Sequence, residues 1–505
     1  MTAGCRRAGG SRRLALTSAV VAGSLLVASA STGGVDAAAP VVVPGTTVTG
    51  NYLAARHARA AGENTDSASF LLAALKKAPD DPVLLNRAYL ALTVDGRVPE
   101  AVDIARRLLQ IDKSAALADI VVAVGDIRDG RFEAAAKRLE NIPRSPLSAF
   151  VVPVLQGWAE FGAGRRDAAL KSLQQLETNQ PLAALGQVHA AWMADVAGDR
   201  ETALRRARAA VEAQPEPWLR LAEIAGGIYE RAGEKTAAEA LYKKYLDTHP
   251  DSRLLNPTLA RLRTGQRPER DIVSARDGVA EALFDAAGIL GRQNNREFAL
   301  ALGQLGLYLR PNFPSLQILV GDMLETSERF EQANKVYQSI DPKQPLALTA
   351  RIGMARNLDR MDRFQDAEAT LRKIASQHPD DPDPLDELGD ILRRREKFAE
   401  AVEAYDQAIA RIGPLQPRHW RLLYARGIAL ERAKQWPRAE ADFLQALTFE
   451  PDQPFVLNYL GYSWVEQGQH LDKAEAMIRK AVELRPNDGY VVDSLGWVLF
   501  RLGRH

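Results

Sequence analysis

The sequence predicts an all-α solenoid, a row of antiparallel helix pairs stacked side by side. Three observations carry this. Small residues recur every 34 positions, at Ala101, Ala135, Ala169 and Ala203 and again at Ala299, Ala333, Ala367 and Ala401, with Ser67 one step before the first set. Twelve residues before many of them stands another small residue: Ala55, Ala123, Gly157, Ala191, Gly226, Gly321, Ala355, Gly389, Gly427. A proline often closes the unit, as at Pro79, Pro250, Pro311, Pro379, Pro451 and Pro486. A period of this length holds two short helices and their turns. Such a unit cannot bury its apolar face alone, so neighbours must stack.

The elements follow in order. Residues 1–39 read as a signal peptide and leader: Arg6, Arg7, Arg12 and Arg13 precede an apolar stretch from Leu14 to Ala30, and Ala-x-Ala sites end at Ala30 and Ala39. Polar residues such as Thr17, Ser18 and Ser24 make that stretch a weak permanent anchor, so no stable membrane span is expected after cleavage. A first array of repeats is predicted over 46–250. From Ala238 to Ala299 the step is 61 instead of 34. The excess, 251–277, contains Pro257, Pro268 and six arginines and reads as a linker or insertion. A second array is expected over 278–505, with slips near Gly413 and His470. Gly489 to Leu502 reads as a first helix with no second helix after it, so the last repeat is expected to be incomplete.

Within a unit, small residues let two helices cross closely, since packed axes lie only about 8–10 Å apart. A larger residue four places after the recurring small one fills the space between units, as at Tyr242, Tyr337, Leu371, Tyr405 and Phe443. Gly96-Arg97, Gly130-Arg131 and Gly164-Arg165 fall where the helix-to-helix turn is needed. These positions resemble the tetratricopeptide repeat family from about Val48 to the end, with roughly twelve complete repeats and one half. The resemblance implies a right-handed superhelix whose first helices line a concave groove through positions 2, 5, 9, 12 and 13 of each repeat.

Carried over, those positions give Asp383, Asp386, Asp390, Arg393 and Arg394 in the repeat beginning at Pro382. After Trp420 they turn aromatic: Tyr424, then Phe455, Asn458 and Tyr462, then Tyr490, Asp493, Trp497 and Phe500. Rings give apolar walls at low ordering cost, while Asn458 and Asp493 offer partners for backbone amides. The candidate groove for a partner's peptide or helix is therefore Tyr424, Phe455, Asn458, Tyr462, Tyr490, Asp493 and Trp497. The competing reading is that the rings pack a tightly wound superhelix from inside, or pack against a continuation of the chain.

Composition narrows the function. Lys plus Arg number 65 against 64 Asp plus Glu, a balance that argues against nucleic-acid binding. Cys5 is the one cysteine and lies ahead of the apolar stretch, so a mature chain would form no disulfide. The seven histidines show no helical pairing suited to a metal, and no phosphate loop or nucleophile elbow occurs. His249 and His378 each precede a closing proline and read as helix-end residues. No catalysis and no cofactor are expected. The expectation is an exported scaffold of a bacterial periplasm or cell envelope that binds protein or peptide partners. The alternative is the periplasmic repeat arm of a polysaccharide or protein export system.

Overall fold

The computed structural model describes residues 43–143, 148–177, 180–214, 216–250, 252–293 and 295–504. The proposed leader 1–39, with Cys5, lies outside the described residues. Six helix pairs come first: α1 (Val48–Ala60) with α2 (Asn64–Leu75), α3 (Pro82–Val94) with α4 (Val98–Ile111), α5 (Ala116–Arg128) with α6 (Phe132–Glu140), α7 (Ser148–Gly162) with α8 (Arg166–Glu177), α9 (Gln180–Val196) with α10 (Arg200–Ala213), and α11 (Leu219–Arg231) with α12 (Lys235–Thr248). A lone helix α13 (Asn256–Thr264) falls inside 251–277. Six more pairs follow: α14 (Ala275–Arg292) with α15 (Arg296–Leu309), α16 (Pro314–Thr326) with α17 (Phe330–Gln338), α18 (Ala347–Arg360) with α19 (Phe364–Gln377), α20 (Asp383–Arg394) with α21 (Phe398–Ile412), α22 (Trp420–Arg432) with α23 (Trp436–Phe449), and α24 (Pro454–Glu466) with α25 (Leu471–Leu484). Helix α26 (Gly489–Arg501) stands single. Among the described residues there is no strand, and, α13 and α14 apart, each helix packs on its chain neighbours.

The repeat chemistry is visible at the ends and crossings of the helices. At the turn inside each early pair the backbone enters the left-handed region on glycine, at Gly62, Gly96, Gly130, Gly164 and Gly198. Later pairs place Glu328, Asp362, Glu396 and Lys434 in the same conformation. Asp81 caps α3 by accepting from the Val83 and Leu84 amides, with Pro82 in the first turn. At the crossings, the aromatic expected between units lies instead against the small residue of its own pair. A β-carbon on Gly389 would stand 2.5 Å from the Tyr405 ring, and one on Gly427 would stand 2.6 Å from Phe443. The ring thus fills the gap that the missing side chain leaves within the pair.

The apolar core runs unbroken from Ala55 to Ala350, past 251–277, and a second cluster continues from Ile352 to Val498. The reason lies in α14 and α15. Helix α14 buries Val279, Ala280, Leu283, Ala286, Ala287 and Leu290, and α15 buries Leu300, Ala301, Leu302, Leu305 and Leu309. Both are apolar around most of their circumference, the pattern of a helix enclosed on every side. Helix α14 packs on α7 and α9, and α15 on α3 and α5. All four are first helices of their pairs, and the inner positions of α5, α7 and α9 are apolar and buried: Ile120 and Val124 on α5, Val154 and Trp158 on α7, Val188 and Trp192 on α9. The second to fifth pairs therefore have their first helices packed against the seventh pair.

Specific contacts fix this arrangement. A β-carbon on Gly278 of α14 would lie 2.2 Å from the Trp158 ring of α7, so only glycine permits this crossing. Trp158 donates its Nε1–H to His189 Nδ1 at 2.9 Å, and His189 Nε2 meets Asp285 of α14 at 3.2 Å. Arg128 donates to the carbonyls of Tyr308 and Leu309, covering the C-terminal end of α15. Arg59 pairs with Glu297, and Gln332 of α17 donates to Thr65 of α2. Buried beside them, Arg220 of α11 pairs with Glu281 of α14, Asp271 and Glu223, and Arg310 also reaches Glu281 and Asp271.

Candidate protein-binding groove

The predicted groove residues lie on α22, α24 and α26, the first helices of the last two pairs and the single end helix. Among the described residues, no helix from another part of the chain packs on this inner face. Large apolar side chains stand exposed: Tyr490 at 89 %, Phe500 at 55 %, Phe455 at 40 %, Tyr462 at 38 % and Trp497 at 37 %. Isolated exposed rings are common, so what matters is which of these share one surface.

The structure brings three of the seven candidates together. Tyr462, Asp493 and Trp497, with Phe500 and Gly496, line a shallow pocket of about 280 Å³. Helix periodicity explains the grouping, since Asp493, Trp497 and Phe500 lie four and three residues apart on one face of α26. Trp497 donates its Nε1–H to Glu466, and Arg501 donates to the same carboxylate at 3.0 Å, fixing the indole. Phe500 stacks on Trp497 at 5.5 Å. Burial, helped by Glu466 and Asp493, raises the Tyr462 hydroxyl pKa, so this group presents a neutral O–H donor at neutral pH.

The other four candidates go elsewhere. Tyr424 is half-buried and packs on Phe443 at 6.2 Å and edge-on against Tyr459 at 6.1 Å, so its ring serves packing between pairs. Phe455 has the Arg485 guanidinium over one face at 5.0 Å and takes no part in the pocket. Asn458 is half-buried, and its side-chain oxygen is enclosed with no hydrogen-bond partner among the described residues. Tyr490 projects outside the pocket. Gly496 and Glu466 were not among the candidates. Glu466 occupies inner position 13 of its repeat, a position the same rule assigns to the groove.

Upstream, the inner face of α20 is acidic. Tyr405 Oη donates to Asp390 at 2.7 Å, and Arg393 holds the same carboxylate at 3.1 Å. Burial, then the neighbouring Asp390, Asp383 and Glu387, pushes the Asp386 carboxyl up to about 7. The sign of the consequence is fixed. A carboxyl whose pKa is raised in the folded chain contributes stability below its unfolded value of 3.8, and that contribution is lost as pH rises towards about 7. Asp386→Asn is expected to raise the melting temperature near pH 8, leave it unchanged near pH 4 and flatten the slope between. Melts at three pH values check this; an unchanged slope contradicts it.

The family assignment joins this geometry to a sequence match. A tetratricopeptide repeat model matches residues 52–116, 190–253, 352–414 and 387–454, and each match coincides with helix pairs of the fold. The chain is a tetratricopeptide repeat protein. Among the described residues, twelve helix pairs and the single α26 are consistent with about twelve repeats. It is 25 % identical over 275 residues to cellulose synthase operon protein C of Pseudomonas fluorescens, a match covering 46 % of this chain and 21 % of that one. The chain thus spans about a fifth of that relative's length. Solved structures with the same repeat include yeast Tom70, at 14 % identity over 90 % of this chain and 96 % of that one, with a TM-score of 0.40. The Cut9–Hcn1 hetero-tetramer of the APC/C is 13 % identical over 89 % of this chain and 96 % of that one, with a TM-score of 0.38. Among the described residues of the repeat protein, no helix is long and apolar enough to cross a membrane.

Proposed function

We propose that this protein is a non-enzymatic scaffold of the bacterial cell envelope that holds a peptide or helix of a partner protein against its last repeats. The observation that carries this is the contrast between the two inner faces. The N-terminal one is packed by α14 and α15 from α3 to α9, whereas the C-terminal one presents Tyr462, Asp493, Trp497 and Phe500 around one pocket. A fixed indole with a stacked phenyl ring suits an apolar anchor, the Tyr462 hydroxyl supplies a donor, and Asp493 supplies an acceptor. The leader at 1–39 supports export, and we read 46–250 and 278–505 as two repeat arrays joined by 251–277.

The test is the pair Tyr462→Ala and Trp497→Ala. Loss of two central aromatic anchors is expected to weaken partner binding by about 30-fold or more. Both side chains lie at the rim of the fold, so helicity measured by circular dichroism is expected to stay within a few per cent of the parent. Unaltered affinity with intact helicity refutes the groove. A second reading, the repeat arm of a polysaccharide export system, is favoured by the match to cellulose synthase operon protein C. Deleting the gene separates the two: loss of exported polysaccharide with no loss of an assembled protein complex supports the second.

A further inference from the structure

Beside the filled inner face lies a cavity of about 640 Å³, walled by α9 and α11 on one side and α14 and α16 on the other. Its size falls within the range of small-molecule sites. The wall is mainly apolar, with Leu182, Trp218, Phe284, Ile289, Ile318 and Leu319 each only half-buried and turned towards the same space.

Most of the charges on the lining are already committed. Arg220 is held by Glu281, Asp271 and Glu223, and Asp285 by His189. Arg292 differs. Its guanidinium lies back over Gly288, with Nη1 3.7 Å from where a β-carbon would stand, and it has no carboxylate or hydrogen-bond partner among the described residues. The cavity therefore combines an apolar body with one uncommitted cation at its edge.

That combination does not suit a peptide. A peptide brings an amide at every residue, each needing a partner. The neutral polar side chains on the lining are Gln214 and Ser315. Nor is the cavity a run of open groove, because α14 is locked against α7 at Gly278 and Trp158 and closes the inner face on that side. A single apolar chain with an anionic head satisfies both the wall and the rim.

We propose that this cavity binds a single-chain anionic amphiphile of the fatty-carboxylate class. The alkyl chain lies among Trp218, Phe284, Ile318 and Leu319, and the carboxylate pairs with Arg292. This proposal is independent of the C-terminal groove.

The experiment is calorimetric titration of the full chain with octanoate, decanoate and dodecanoate, each below its micelle concentration, and with decanol. Affinity is expected to rise about fourfold per added methylene, the free energy of burying that group. Arg292→Gln is expected to weaken decanoate about tenfold and leave decanol unchanged, removing the preference for the acid. Gly288→Leu places a side chain in the cavity without meeting backbone and improves helix propensity, so it is expected to abolish binding at an unchanged or higher melting temperature. Four results overturn the proposal: no saturable binding by the parent, affinity independent of chain length, unchanged decanoate affinity in Arg292→Gln, or parent-like binding in folded Gly288→Leu.

Discussion

Gly278→Leu is expected to destabilise the chain by about 3 kcal/mol or more, against the sign that helix propensity alone would give. Glycine inside a helix costs about 1 kcal/mol relative to a good helix former, so on a free face the substitution would stabilise. Position 278 is not free: a β-carbon there stands 2.2 Å from the Trp158 ring, which is fully buried. Overpacking a rigid crossing forces side chains off their rotamers or drives the helices apart. Separation of α14 from α7 would also break the Trp158–His189–Asp285 chain. Denaturant melts measure the loss, and hydrogen exchange locates it: amides in α5, α7, α9, α14 and α15 are expected to exchange faster, those in α20 to α26 to stay as in the parent. Trp158→Ala should itself cost about 3–5 kcal/mol, yet the double variant should be more stable than the sum of the two predicts, because the cavity accepts the leucine. Higher stability of Gly278→Leu alone contradicts the packing of α14 into the inner face.

Arg220→Ala is the second large effect. Glu281 is fully buried and meets Arg220 and Arg310, while Asp271 meets the same two arginines. Removing one cation leaves a buried carboxylate short of compensation, which typically costs about 3–5 kcal/mol. The remaining Arg310 softens the loss, and Glu281 is expected to take up a proton. Burial already pushes the Glu281 carboxyl up to about 7, so the stability of Arg220→Ala should be nearest to the parent at low pH and fall further behind as pH rises through about 7. Arg220→Met with Glu281→Leu removes both charges and keeps the volume, and is expected to recover most of the loss. If the double variant is no better than Arg220→Ala, the cluster acts through something other than charge compensation.

Much of the fold was legible because the repeat is local. The spacing of Ala101 to Ala203 and Ala299 to Ala401 places each helix pair, since a crossing of two helices tolerates only small residues. What α14 and α15 do was not legible from the interruption at 251–277, because packing between distant repeats leaves no mark in the period. A signal existed nonetheless. The inner positions that gave Tyr462 and Trp497 in the C-terminal repeats give Ile120, Val124, Val154, Trp158 and Val188 in the N-terminal ones, a face too apolar to meet water. The candidate site was half legible. Tyr462, Asp493 and Trp497 meet because adjacent first helices bring their inner positions together. Tyr424 does not join them, because Phe443 and Tyr459 come from two neighbouring helices and claim its ring. That outcome depends on packing between pairs, which the spacing within one helix does not specify.

Site-specific photocrosslinking in cells tests the central claim most directly, namely that the N-terminal inner face is self-occupied and the C-terminal one receives a partner. A photoreactive phenylalanine would replace, one at a time, the half-buried Leu90 of α3 and Phe161 of α7 and the exposed Tyr462 and Trp497. The account predicts adducts within the chain from positions 90 and 161, and adducts to one and the same partner protein from 462 and 497. Partner adducts from 90 or 161, with none from 462 and 497, would contradict it.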